Sequence, residues 1–222
     1  MPWLLAAAAL LAPQAALAAG GPHVIDDSEV ETAGDCHVET WLTRSSDDQW
    51  HASAGLGCTP EAHPMLELGG FVGQMRSPGM DETMIGLTPK VTLRPAETGL
   101  GIALSGSLAY GLDRDRLEGA ALIGAVTVPA SEGLRFNLNA GWGWSEAGPG
   151  SELFVGVQAE LAVAPQVGLM GEAFTRDHGK AGGQAGVRWT SRNGRIDLDL
   201  LAGRYVDGAT PTSVTVGLTG RW

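Results

Sequence analysis

Leu134-Arg135-Phe136-Asn137-Leu138-Asn139-Ala140 decides the fold: every even residue is apolar and every odd one is polar. A period of two sends successive side chains to opposite faces of an extended chain, so this stretch reads as a strand with one apolar face. The pattern continues on either side. Leu153, Val155, Val157, Ala159, Leu161 and Val163 alternate with Gln158 and Glu160, and Val214, Val216 and Leu218 alternate with Thr215, Gly217 and Thr219. The alternation predicts twelve strands, at 36–44, 49–58, 65–75, 83–94, 98–112, 117–128, 133–145, 151–163, 166–176, 181–192, 195–205 and 212–222. Turn residues separate them, Asn193-Gly194 being the strongest hairpin signal. The widest connection is expected around 77–82.

A soluble sandwich also alternates, but three features favour a membrane barrel. The segments are long, near the 9–11 residues or so that a bilayer-spanning strand needs. Their number is even, which returns the chain to its starting side. The polar face also carries charge in mid-strand: Glu39, Glu67, Lys90, Arg94, Arg135, Glu160, Glu172, Arg188, Asp197, Asp199 and Arg221. A soluble core could not hold these groups, whereas a barrel lumen can. The expected fold is all-β, a transmembrane antiparallel up-and-down β-barrel of about 12 strands. Lys90, Arg94, Arg135, Asn137, Asn139, Glu160, Glu172, Arg188, Asp197, Asp199 and Arg221 are expected to line its lumen. Pro89 falls inside the fourth strand, where a closed barrel offers no free edge, and a bulge is expected there.

Composition agrees. The chain has 222 residues, 33 of them Gly, and 14 basic against 25 acidic side chains. An apolar fraction of 44% is too high for a disordered chain. An acidic chain with only two Lys argues against a nucleic-acid partner. The longest uncharged run after the N-terminal segment, 98–112, is too short for a spanning helix.

The chain divides into three parts. Residues 1–18 read as a signal peptide, with an apolar core from Trp3 to Ala12 and a small-x-small site at Ala16-Leu17-Ala18. Residues 19–35 form an acidic N-terminal arm carrying Asp26, Asp27, Glu29, Glu31 and Asp35 with no base. The plain expectation is a solvated periplasmic arm; the sharper one places it in the lumen mouth against Arg94 or Arg221. Residues 36–222 form the barrel.

Cys36 and Cys58 lie symmetrically about Asp47, so pairing them also pairs Val38 with Leu56 and Thr40 with Ala54. Opposed strand residues lie within disulfide range, and an exported chain meets an oxidising compartment. A cross-strand disulfide is expected. No metal or cofactor is expected, since neither Cys has a second ligand at a metal-binding spacing.

The final strand carries Val214, Val216, Leu218 and a terminal Trp222 on one side. This resembles the assembly signal of bacterial outer-membrane barrels, in which the last residue is usually Phe. It implies outer-membrane lipid and the barrel-assembly machinery as partners. Two longer stretches resemble a group of proteobacterial outer-membrane barrels classed as transporters of the MetA pathway of phenol degradation. One is Pro22-His23-Val24-Ile25-Asp26-Asp27 followed by Gly34-Asp35-Cys36-His37-Val38-Glu39. The other runs from Val187-Arg188-Trp189 through Gly203-Arg204-Tyr205 to the end. Ile25 stands where that group usually has Thr. The resemblance implies passage of small organic or aromatic solutes through the outer membrane, and it carries over no catalytic or ligand residues.

Three functions fit these features. The first is a narrow passive channel for small solutes, and the second a structural barrel whose lumen is closed by salt bridges. The third is a lipid hydrolase using His51, Ser53 and Glu39, which share a face, as an activated nucleophile requires. That face points inward, away from lipid, so no enzyme is expected. His178 reads as a solvated loop residue.

Overall fold

The computed structural model describes residues 22–77, 80–146 and 150–222. The expected signal segment, 1–18, lies outside them. The strands are β1 (Cys36–Ser45), β2 (Trp50–Cys58), β3 (Leu66–Ser77), β4 (Met80–Leu87), β5 (Lys90–Arg94), β6 (Gly101–Gly111) and β7 (Arg116–Ser131). They continue as β8 (Leu134–Ser145), β9 (Gly150–Ala164), β10 (Val167–Arg176), β11 (Gly182–Thr190), β12 (Ile196–Arg204) and β13 (Ser213–Arg221). Every pairing is antiparallel, and β1 pairs with β13 from His37↔Arg221 to Ser45↔Ser213, which closes the sheet. β4 and β5 are two halves of one stave, since both pair with β3 on one side and β6 on the other. The barrel therefore has twelve staves. No helix among the described residues is long and apolar enough to cross a membrane; any crossing is made by strands.

Pro89 explains the broken stave. It has no N–H to give to a ladder, and the strand stops at Leu87 and resumes at Lys90. Thr88 N–H still donates to Gly69 (2.9 Å), and the Pro89 carbonyl accepts from Gly106 (2.9 Å), so register survives. The bulge itself lies slightly further on, between Thr92 and Arg94. Its extra residue moves Arg94 opposite Ile102 rather than Gly101, out of the inward register. Where a wide connection is expected around 77–82, strand pairing continues instead to Ser77 and Met80, and Arg76 and Asp81 form an ion pair there at 2.8 Å.

The two faces are inverted relative to a water-soluble protein. Leu138 is 44% exposed and Val216 55%, while Asn137 and Gln158 are fully buried. A continuous exposed apolar belt of this kind is favourable only against lipid. Trp142, Trp189 and Trp222 lie exposed on it, as interfacial aromatics do. A Cys at position 137 should resist lipid-soluble thiol reagents while one at 138 reacts; the reverse pattern would refute the assignment of faces.

The Cys36–Cys58 disulfide forms with its Cα atoms 4.1 Å apart. Val38↔Leu56 and Thr40↔Ala54 pair in the same register.

Candidate functional site: the lumen and its N-terminal segment

The lumen is not empty. Residues 22–35 run through it from mid-barrel to the mouth where both ends of the barrel chain meet, and Ile25, Asp27 and Ser28 have no exposed surface. The expected solvated arm is thus replaced by a segment packed inside the barrel.

A buried chain outside any ladder needs partners for its backbone, and here wall side chains supply them. The Val24 N–H donates to Glu172 at 3.1 Å. The Asp26 N–H donates to Asn139 Oδ1, and Asn139 Nδ2 donates back to the Asp26 carbonyl, both at 2.7 Å. The Ser28 N–H donates to Thr127 at 2.9 Å, and Thr92 donates to the Ser28 carbonyl at 2.7 Å. The Glu31 N–H donates to Glu67 at 3.1 Å. One face of the arm is apolar: Ile25 packs with Phe154 and Phe174, flanked by Val24 and Val206.

Charges complete the seat. Lys90 Nζ lies 2.8 Å from Asp26 and 2.9 Å from Asp27. Arg135 reaches Glu29 at 2.8 Å, Asp27 at 3.3 Å and its cross-strand neighbour Glu160 at 3.0 Å. Arg221 joins Glu31 (2.8 Å) to Asp197 (2.7 Å). His23 Nδ1 contacts Glu172 at 2.8 Å. Arg188 pairs with Asp199, directly opposite on β12, at 2.8 and 3.0 Å.

The wall is also shaped for the arm. A Cβ on Gly156 would overlap Ile25 Cδ1, and one on Gly101 would overlap Ser28 Oγ. A Cβ on Gly217 would come within 2.9 Å of Pro22 Cγ. All three glycines have inward parity, so they are the hollows into which the arm fits.

Of the lumen residues expected from sequence, Lys90, Asn137, Asn139, Glu160, Glu172, Arg188, Asp197 and Asp199 are buried inside the barrel. Arg135 and Arg221 are half-buried there. Arg94 is not: the bulge leaves it exposed, and its guanidinium donates to Thr98 at 3.1 and 3.2 Å. Of the two arginines expected to meet the arm, only Arg221 does so. His51, Ser53 and Glu39 do not assemble as a hydrogen-bonded set: Ser53 Oγ donates to the Val72 carbonyl at 3.4 Å, and the His51 ring packs edge-on against Trp41. His178 lies in an exposed connection beside Asp177 at 3.1 Å. The Leu153 N–H holds the Asp177 carboxyl below its usual range. Sequence reasoning missed the ion pairs at the opposite end, where Arg114 meets Glu82 at 3.1 Å and Arg116 meets Glu118 at 2.9 Å. Glu82 shares Lys90's parity, and that signal could have found it.

Two cavities remain beside the arm. One, of about 310 Å³, lies between the arm and the wall formed by β1, β2, β3, β6 and β7. The other, of about 470 Å³, opens at the mouth beside Trp222. Glu29, Val30 and Glu31 line both.

A family model described as "Uncharacterised conserved protein UCP029691" matches residues 6–222. No curated protein sequence matches. Among solved structures, the KdgM porin matches with a TM-score of 0.64 at 8% identity, covering 83% of this chain and 98% of that one. The COG4313 outer membrane channel from Pseudomonas putida F1 matches with a TM-score of 0.65 at 12% identity, covering 88% and 98%. The NanC porin matches with a TM-score of 0.57 at 6% identity, covering 83% and 98%. The fold is that of outer-membrane channels.

Proposed function

The chain belongs to the UCP029691 family, and from its lumen we propose that it is a narrow passive channel for small solutes in the outer membrane. The observation that carries this reading is the pair of cavities beside the arm. The arm occupies part of the lumen, and the space left beside it, about 310 and 470 Å³, is of small-molecule size. The KdgM porin was solved in complex with disordered oligogalacturonate; a polymer with a carboxylate on every sugar suits this lumen poorly, because the arm adds carboxylates to the wall's own. The likeness to transporters of the MetA pathway supports small organic cargo instead.

A second reading, a structural barrel with no flux, draws on the ion pairs that anchor the arm. Single-channel recording of the refolded full chain in planar bilayers separates the two. We expect a small, steady conductance. No conductance above background, from either the full chain or a variant with the arm displaced, would leave the structural barrel as the function.

A further inference from the structure

We infer that the cavity between the arm and strands β1 and β3 is a cation-selective filter, with Glu39 and Glu67 as its specificity-determining residues. This rests on the channel reading and adds the class of solute that the channel prefers.

The first support is the charge inside the barrel once the arm is seated. The wall contributes Glu39, Glu67, Glu160, Glu172, Asp197 and Asp199. The arm adds Asp26, Asp27, Glu29 and Glu31. Against these ten carboxylates stand, among the described residues around the arm, Lys90, Arg135, Arg188 and Arg221, with the His23 ring on Glu172; Glu82 and Glu118 are met separately by Arg114 and Arg116 at the opposite end. The arm's entry and Arg94's exit both tip the interior toward acid.

The second is where the uncompensated charge lies. Each base is already held by carboxylates at 2.7–3.0 Å: Lys90 by Asp26 and Asp27, Arg135 by Glu29 and Glu160, Arg221 by Glu31 and Asp197, Arg188 by Asp199. Glu39 and Glu67 take no such base. Their nearest cation-forming group is His37, whose ring nitrogens lie 4.0 Å from Glu39, 3.9 Å from Glu67 and 3.3 Å from Glu31. Glu31 is already held by Arg221, so this one imidazole is shared by Glu39 and Glu67.

The third is the cavity. Glu39 and Glu67 line the 310 Å³ space on the wall, with Trp41 and Phe71 beside them, and the arm's Glu29 and Glu31 line the same space. The path thus runs between acids on both flanks with aromatic faces beside them, which suits small ammonium-type cations. The wall hollows that receive Ile25 and Ser28 fix the arm's position, so the arm's two acids are a built part of the passage.

Reversal potentials across a KCl gradient test the filter on the full refolded chain. We expect potassium over chloride, with the preference strongest at low salt and fading as the Debye length contracts from about 10 Å at 0.1 M to about 3 Å at 1 M. Focused charge of one sign raises local counter-ion concentration by about tenfold or more, so Glu39→Gln with Glu67→Gln should lower the permeability ratio by roughly threefold. The amide still accepts the Glu31 N–H. Should that pair fail to fold, Ser107→Asp, an acid added to the same cavity wall, should raise the ratio. Chloride preference, no preference, or a ratio unmoved by either variant overturns the filter while leaving the channel standing. Absence of any conductance overturns the channel reading and the filter with it.

Discussion

Replacing Lys90 with Met should free the arm from the lumen and leave the barrel standing. Among the described residues Lys90 is the only base within ion-pair distance of Asp26, and it shares Asp27 with Arg135. Asp27 is fully buried. Removing one partner of a buried pair costs about 3–5 kcal/mol; here Asp27 would keep the longer contact to Arg135, at 3.3 Å, and Asp26 would lose its ion pair with Lys90. That cost falls on the docked arm alone, since an arm that leaves the barrel returns both aspartates to water. The wall loses nothing comparable: Met has a similar length and apolar stem, and the backbone pairing of Lys90 with Ser105 and Glu67 does not use the side chain. A Cys at position 28, buried in the docked arm, should react with a water-soluble maleimide in the Lys90→Met background and resist it in the parent. Conductance should rise severalfold in the same variant, with the heat-dependent gel mobility of the folded barrel retained. Adding Asp26→Asn and Asp27→Asn should restore protection, because the uncompensated charges are then gone. Equal labelling with and without Lys90 would show that charge does not hold the arm.

The staves were legible because period two is a local signal that lipid enforces residue by residue. A strand that slips by one exposes Asn137 to hydrocarbon and buries Leu138, so the pattern could not be written any other way. The disulfide register was legible for the same reason, fixed by the symmetry of one hairpin. Arg94 was misplaced because parity carries only to the next bulge. Pro89 announced an irregularity in that stave without saying where the extra residue would go.

The arm's seat was illegible for a different reason. Parity says which side chains point inward, not what meets them there. The arm has no period of its own; its backbone is satisfied by Glu172, Asn139, Thr127, Thr92 and Glu67, drawn from five separate strands. Those contacts span up to 148 positions in sequence. A trace was present all the same. Five acids without a base stood next to a wall rich in arginine, and glycine occupied inward positions 101, 156 and 217, where a polar side chain would serve a water-filled lumen better. Acidic arm and hollowed wall are the two halves of one contact, and neither half states it alone.

The hollow at Gly156 gives the second large effect. A Leu there should evict Ile25 and open the lumen from its apolar side, without altering a single charge. The first carbon of the new side chain would already overlap Ile25 Cδ1, and it would lie 2.9 Å from Phe174 Cβ and 3.2 Å from the Ala173 carbonyl. Ile25 cannot retreat, for it is wholly buried against Phe154 and Phe174. Leaving costs the burial of one large aliphatic side chain, about 1.5–3 kcal/mol. Staying costs a comparable overpacking strain of about 1–3 kcal/mol plus the distortion of β10 behind it. The new Leu fills the vacated pocket and so recovers most of the apolar burial for the wall, which tips the balance toward release. Conductance should therefore rise as it does in Lys90→Met, though here the Lys90–Asp26 pair remains intact as a tether. Combining the two should release the arm completely, and the labelling of a Cys at position 28 should rise from single to double variant. Gly171→Ala is the control: nothing lies within 4 Å of the added carbon, so it should change neither conductance nor labelling. If Gly156→Leu folds with the parent's conductance and a still-protected position 28, the hollow is not a seat, and the arm is held by its charges alone.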